Sequence, residues 1–590
     1  MFQNFEVTST PEKGPARLAL LRQEIARAGL DGFLVPRADA HQGEYVAPCD
    51  ARLAWLTGFT GSAGFCAALM DQAGVFVDGR YRTQVKSQVD PEHFTPVDWP
   101  ETTLADWLKQ ALPDGGKVGF DPWLHTKGEM EKLAGCGVEL VAVDNLVDRI
   151  WADRPPRPSG KIIEYPVEFA GETAEAKRKR IAADIKNAGA QAAVLTLPDS
   201  ICWLLNIRGS DIERNPVVQA FAILHADGRV DLFTDPAKAE GLALEVQPWE
   251  AFEPALMALQ GVVRVDPDTA PVAVSDILQG AGIEVQAKAD PCILPKARKN
   301  SAEIAGTRAA HLRDGVAMVN FLAWLDRAAP KGGLSEIDVV TKLEGFRRDT
   351  GALRDISFET ICGAGPNGAI IHYRVTQETN REIRKGELLL VDSGGQYLDG
   401  TTDITRTVAV GDVGNEEKTC YTRVLQGMIA LSRVRFPKGL AGRDLDALAR
   451  YPLWLAGQDY NHGTGHGVGT YLSVHEGPQR ISKVSDVPLE TGMILSNEPG
   501  YYREGAFGTR IENLIVVQPA PALKGADARD MMAFETLTYV PIDRRLIKVD
   551  MLSRGERDWL DAYHAKTLEM LSPLVKGETL DWLTRACAPL

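Results

Sequence analysis

At 590 residues the chain is too long for one hydrophobic core and, at roughly 150 residues per domain, predicts three or four domains. Its 44% hydrophobic and 25% charged residues are those of a folded globular protein and exclude a largely disordered one. The formal net charge of −15 argues against nucleic acid as the main partner, and no apolar run approaches the ~20 residues that would span a bilayer.

The first residues, MFQNFEVTSTPEKG, lack the basic-then-apolar pattern of a signal peptide. Residues 17 to 30 have helical apolar spacing, GFLVP follows as a strand, and LAWLTGFTGSAGFCAALM leads through the turn DQAG into the strand VFVDGRY. The same order recurs. Residues 175 to 189 read as a helix, AAVLTLPDSICWLLNIRG follows, and FAILHADGRVDLFTD repeats the strand-turn-strand pattern. Trp55 and Trp203 occupy comparable places, each after a short strand, so the front of the chain reads as a divergent internal duplication. WADRPPRPSGK (151 to 161) has the Pro, Gly and charge of a linker, and a second boundary falls within 293 to 306, where a long helical pattern starts. The chain therefore divides at 1–155, 156–298 and 299–590. Near its end, Ser553 and Glu556 are spaced as a capping box. Eight cysteines (49, 66, 136, 202, 292, 362, 420, 587) form no CxxC pair and no dense framework, and read as reduced thiols of a cytoplasmic protein.

Chemistry concentrates in the last part. In LLLVDSGGQYLDGTTD (388 to 403) an apolar strand runs into Asp392, a Gly-rich turn follows, and Asp403 opens a second strand. A hairpin turning near Tyr397 and Leu398 would set the two carboxylates directly opposite, roughly 4.5–5.5 Å apart. Buried, such a pair needs a shared proton or a cation, whereas exposed it would be a solvated hairpin tip. NHGTGHGVGT then places His462 and His466 in a loop too rich in glycine for a helical zinc motif, and the HExxH glutamate is absent. Glu498 ends an apolar strand, and Glu512 lies inside one, with Arg510 the adjacent basic residue. Four carboxylates and one imidazole without thiolate favour a hard or borderline divalent ion, manganese over structural zinc, and their charge favours two ions.

In order and spacing, Asp392, Asp403, His466, Glu498 and Glu512 resemble the ligand set of the pita-bread metallopeptidases. HGTGHGVG, VHEGP, NEPGYY and GTRIEN resemble the Xaa-Pro aminopeptidase branch, in its long three-domain form. The resemblance implies two related creatinase-type α/β domains (1–155 and 156–298) before a pita-bread catalytic domain with a helical tail (299–590). It implies Asp392 on one metal, Asp403 and Glu512 as bridges, and His466 and Glu498 on the other, the ions being manganese with zinc or cobalt as alternatives. Glu498, His372 and His475 become the catalytic groups around a metal-bridging hydroxide, and His372, His462, His475 and Arg510 the substrate contacts. The substrate implied is a short peptide with proline second. A cytoplasmic homodimer is implied, with no nucleic acid or membrane partner and with the helices after Ser553 as a candidate interface. Asn497, standing where some relatives carry Asp, would tune Glu498. A prolidase shares the ligands, but usually has a single N-terminal domain. A creatinase-like amidinohydrolase does not need the metal set, and pita-bread binding modules have generally lost ligands. Residues 1 to about 300 are expected to contribute no catalytic group.

Overall fold

The computed structural model describes residues 1–590, which form two compact units: Thr8–Lys296, and Ala297–Leu590 together with Met1–Val7. In the first unit, α1 (Gly14–Arg27) buries Leu18, Leu21 and Ile25, the three- and four-residue spacing of one helix face. It packs on a sheet of β1 (Gly32–Pro36), β2 (Phe65–Leu69), β3 (Ala73–Val77), β4 (Thr95–Asp98), β5 (Lys117–Phe120) and β6 (Glu139–Ala142), in the order β4-β3-β2-β1-β5-β6. The second lobe has its own helix, α2 (Ala174–Asn187), and strands β7 (Ala192–Leu195), β8 (Phe221–His225), β9 (Val230–Phe233), β10 (Val262–Val265) and β11 (Glu284–Ala287), ordered β9-β8-β7-β10-β11.

Apart from the extra edge strand β4, the two orders are the same. In each, the first strand pairs antiparallel with the second and parallel with the crossover strand. The duplication is therefore one of topology. Trp55 and Trp203 each lie on the short helix that follows the first strand, Arg52–Thr57 and Pro198–Leu205. A cation covers each ring at 4.5 Å, Arg17 on Trp55 and Lys177 on Trp203, and both cations hold the fourth position of their helices.

The second unit begins on α3 (Ser301–Ala328), whose capping box pairs Asn300 with Glu303. α4 (Glu336–Arg348) packs beside it. Their apolar faces, Met318, Phe321, Leu322, Val339 and Leu343 among them, bury Leu389–Val391 of a three-stranded sheet. That sheet is β12 (Ile361–Ala364), β13 (Glu387–Ser393) and β14 (Ile404–Val410). α5 (Asn415–Ser432) and α6 (Gly442–Trp454) precede most of a six-stranded sheet. Its strands are β15 (Arg435–Pro437), β16 (Gly465–Gly467), β17 (Glu476–Ile481), β18 (Ile494–Asn497), β19 (Asn513–Pro519) and β20 (Met531–Thr536), ordered β15-β20-β19-β18-β16-β17. The Ser553–Glu556 capping box forms as expected and opens α7 (Arg554–Leu571). No helix is long and apolar enough to cross a membrane.

Candidate active site

Two ladders deliver the carboxylates. Between β13 and β14, Asp392 pairs with Thr405 and Ser393 with Ile404. The same register runs on to Tyr397 opposite Gly400, so the two-residue turn is Leu398–Asp399. Asp392 and Asp403 are thus diagonal neighbours on one face, not directly opposite as the sequence suggested. The turn falls one residue later than expected because Arg313 of α3 clamps Asp399 through two hydrogen bonds of 2.9 and 2.8 Å. Between β18 and β19, Asn497 pairs with Asn513, so one residue further on Glu498 faces Glu512. Glu512 therefore lies in the break between the strand Phe507–Arg510 and β19, not inside a strand. His466, expected in a loop, is the middle residue of β16. Gly465 permits this close approach, because a Cβ there would stand 2.0 Å from the Ser496 carbonyl oxygen.

These side chains converge. Candidate ligand atoms of Asp392, Asp403 and Glu512 lie within 4.8 Å of one another, as do those of His466, Glu498 and Glu512, and of Asp403, His466 and His475. His466 Nδ1 lies 2.8 Å from the Gly467 carbonyl, which can only accept, so Nδ1 carries the proton. Its Nε2 lone pair then faces Asp403 Oδ2 and Glu498 Oε1, each at 3.4 Å. Asp392 Oδ1, Asp403 Oδ1 and Glu512 Oε1 are buried without a hydrogen-bond donor. Burial, then the Asp392 charge, pushes the Asp403 carboxyl up to about 8. Burial and the neighbouring carboxylates raise Glu512 well above its ordinary range, and burial with Asp403 raises Glu498. Acceptors aimed at one another with no hydrogen-bond donor between them fit a cation site, and the oxygen-rich set with one imidazole suits a pair of divalent ions.

The remaining oxygens are held. Thr405 Oγ1 donates to Glu512 Oε2 at 2.8 Å and Ser496 Oγ to Glu498 Oε1 at 2.9 Å. Arg510 is 2% exposed and donates to Asp392 Oδ2 at 2.6 Å, Tyr502 Oη at 2.5 Å, Thr405 Oγ1 at 3.2 Å and Ile371 O at 3.4 Å. Expected at the substrate, it is instead committed to protein acceptors behind the carboxylates. His462 Nδ1 faces its neighbour's carbonyl at 2.8 Å, so neutral Nε2 accepts from Tyr502 Oη at 2.9 Å. A chain of contacts thus runs from His462 through Tyr502 and Arg510 to Asp392. His475 stands edge-on to His466, ring centroids 4.4 Å apart. His372 is half-buried beside Ile371, whose carbonyl Arg510 holds. Asn497 points away from the cluster, donating to Met428 O and Ser432 Oγ of α5 at 2.9 Å each, so it anchors β18 instead of tuning Glu498 directly.

Sequence reasoning missed Tyr502, Thr405 and the buried ion pair of Lys299 with Glu476, the neighbour of His475. Tyr502 stood inside the quoted NEPGYY, but nothing in that run distinguishes it from Tyr501.

Residues 305–519 match metallopeptidase family M24 and residues 530–590 the C-terminal region of peptidase M24. Residues 17–150 and 153–303 each match a creatinase/prolidase N-terminal domain. The chain is 40% identical to the probable Xaa-Pro aminopeptidase P of Laccaria bicolor, over 97% of this chain and 93% of that one. It is also 40% identical to aminopeptidase P2 of Arabidopsis thaliana, over 95% and 86% respectively. The crystal structure of X-prolyl aminopeptidase from Caenorhabditis elegans, described as a cytosolic enzyme with a di-nuclear active site, is similar at a TM-score of 0.91 and 33% identity. It covers 98% of this chain and 100% of that one.

Proposed function

Because the chain belongs to metallopeptidase family M24, in the Xaa-Pro aminopeptidase P branch with two creatinase-type domains in front, we propose that it is a metal-dependent aminopeptidase releasing the first residue of peptides whose second residue is proline. The observation that carries the reading is the cluster of Asp392, Asp403, His466, Glu498 and Glu512, with three donor-less buried oxygens and an inward imidazole lone pair. Divalent ions held by these five residues would supply Lewis acidity to the scissile carbonyl and to the water that attacks it. Manganese suits the oxygen-rich set best, with zinc and cobalt as alternatives.

The chain's own groups do the rest. Glu498, raised above its ordinary range by burial, takes the proton of the attacking water and returns it to the leaving proline nitrogen. His372 and His475 donate hydrogen bonds to the carbonyl oxygen as it gains charge. His462 walls the proline side. Arg510 orients Asp392 rather than touching substrate. The scissile nitrogen of an Xaa-Pro bond has no hydrogen, so recognition rests on ring shape and not on an N–H contact.

Eight buried free cysteines accord with a reducing cytoplasm. The enzyme works as a homodimer, supported by an apolar face on and beside α6, where Tyr451 is 59%, Leu455 72% and Val484 86% exposed with Trp454 alongside. Beyond Ser553, the region first considered for that contact, Leu574 is the one large apolar side chain left exposed.

The test is to incubate manganese-loaded protein with Arg-Pro-Pro, Gly-Pro and Arg-Ala-Ala and identify products by mass spectrometry. Release of Arg from Arg-Pro-Pro, with Arg-Ala-Ala intact, is expected. Cleavage of Gly-Pro alone would make the enzyme a dipeptidase, and no cleavage would refute the reading.

A further inference from the structure

The first seven residues belong to the unit that carries the site, although the chain then spends Thr8–Lys296 in the other unit. They dock with particular contacts. Gln3 is 3% exposed, and its side-chain amide pairs with the backbone of Thr360 in both directions: Nε2 donates to Thr360 O at 3.2 Å and Oε1 accepts from Thr360 N at 2.8 Å. One side chain thus satisfies both backbone groups of a buried residue, as a neighbouring strand would. The backbone amides of Phe2 and Gln3 donate to the buried Glu344 carboxylate of α4 at 2.7 and 3.2 Å. The Phe5 carbonyl accepts from Gln377 N at 2.9 Å. Arg374 donates to Glu6 O at 2.7 Å, Asn4 O at 3.2 Å and Asn4 Oδ1 at 2.9 Å.

Apart from Glu344, these partners fall on the two flanks of His372. Thr360 precedes Ile361, which pairs with Asp392 across β12 and β13 and bridges to Arg374. Arg374 lies two residues beyond His372. Between the flanks, Arg510 holds Ile371 O, and Tyr373 Oη donates to the buried Glu336 at 2.9 Å. We propose that residues 2–6 are a positioning strap: by fixing Thr360 and Arg374 they set His372 against Asp392, so the front of the chain completes the active site at its other end. The strap touches none of the five candidate ligands through a side chain, so its effect falls on the placement of His372 and not on metal retention.

The proposal rests on the aminopeptidase reading, and two readouts on the full-length protein separate their failures. Gln3→Met keeps the buried volume while removing both amide hydrogen bonds; Gln3→Met with Arg374→Met removes the Arg374 contacts as well, and because Arg374 also pairs with Glu359, Glu359→Gln is the control that must leave exchange at 359–377 as in wild type. In the double variant, hydrogen exchange should speed up at residues 359–377 and remain as in wild type elsewhere in the unit. Manganese content should be unchanged, kcat on Arg-Pro-Pro should fall about tenfold or more, and KM should move less than about twofold. Unchanged exchange at 359–377 overturns the proposal, because these contacts would then not hold the segment. Released exchange with wild-type kcat overturns it too, as does a loss of activity that only follows metal loss or exchange throughout the unit. If the wild type cleaves no Xaa-Pro peptide, the activity reading fails, while exchange still decides whether the strap holds the His372 segment.

Discussion

Asp403→Asn should invert its effect on stability according to whether metal is present. The Asp403 carboxyl is pushed up to about 8, by burial first and by Asp392 second, so the metal-free folded protein keeps it protonated at pH 7. In the unfolded chain the group ionises near 3.8. A folded value above the unfolded one gives stability that is greatest below 3.8 and is lost as pH rises toward 8. At about 1.4 kcal/mol per pH unit, the loss at pH 7 is about 4 kcal/mol. Asparagine has no proton to hold, so metal-free Asp403→Asn should be more stable than metal-free wild type at pH 7 to 8 by up to that amount, with the advantage vanishing near pH 4. Adding manganese at a hundred times its Kd stabilises the wild type by about 2.7 kcal/mol, whereas the variant lacks the ligand and should gain little. Denaturant titrations with and without metal, followed on the metal-responsive transition because the two units need not unfold together, provide the assay. If the metal-free variant is less stable than metal-free wild type at pH 7 to 8, the repulsive cluster described above is wrong.

Four further expectations follow from the same geometry. Glu512→Ala should lower metal content and reduce turnover by at least about a thousandfold, ~4 kcal/mol, while the circular dichroism spectrum stays native; full activity with fewer metals would contradict the ligand assignment. His462→Ala should keep its metals and lose about 1–3 kcal/mol of preference for Pro over Ala at the second position, and an unchanged rate ratio with intact metals argues against the pocket wall. His564, driven down to about 3 by burial and then by Arg544 and Arg406, accepts a hydrogen bond from Ile542 N at 3.1 Å. Its folded value lies below the unfolded 6.5, so stability falls as pH drops below 6.5, by about 2 kcal/mol at pH 5, and His564→Gln should remove that slope in denaturant titrations of the metal-loaded protein. Tyr451→Ser with Leu455→Ser should raise the dimer Kd at least about tenfold, ~1.4 kcal/mol, in sedimentation, and wild-type sedimentation would move the interface elsewhere.

The four clustered carboxylates were legible in the sequence because each stands at or beside the end of an apolar strand, where an ionisable group is conspicuous, and His466 because it stands in a run rich in glycine. The front duplication was legible because helix and strand periods recur in one order. What escaped is what depends on partners far away in the chain. The turn at Leu398–Asp399 is set by Arg313, and the sequence of the hairpin alone fits a turn one residue earlier equally well. Arg510 could be seen beside Glu512, but its four acceptors come from four other segments, so its bond to Asp392 had no local sign. Lys299 and Glu476 are 177 residues apart, and neither is unusual where it stands. Gln3 carries no local sign of its burial, because nothing near it in the sequence says that it will be buried.

The strap also sets an order of events during synthesis. Thr360 is made 357 residues after its partner Gln3. At roughly 5–20 residues per second, about 20–70 s pass before the partner exists. Throughout that time Phe2 and Phe5 have no native place to go, while the lobes built from Thr8 onward can already fold. Docking of residues 2–6 must therefore wait until residues 344–377 have been made, and a nascent chain stalled before residue 360 would carry finished lobes with Phe2 and Phe5 still undocked.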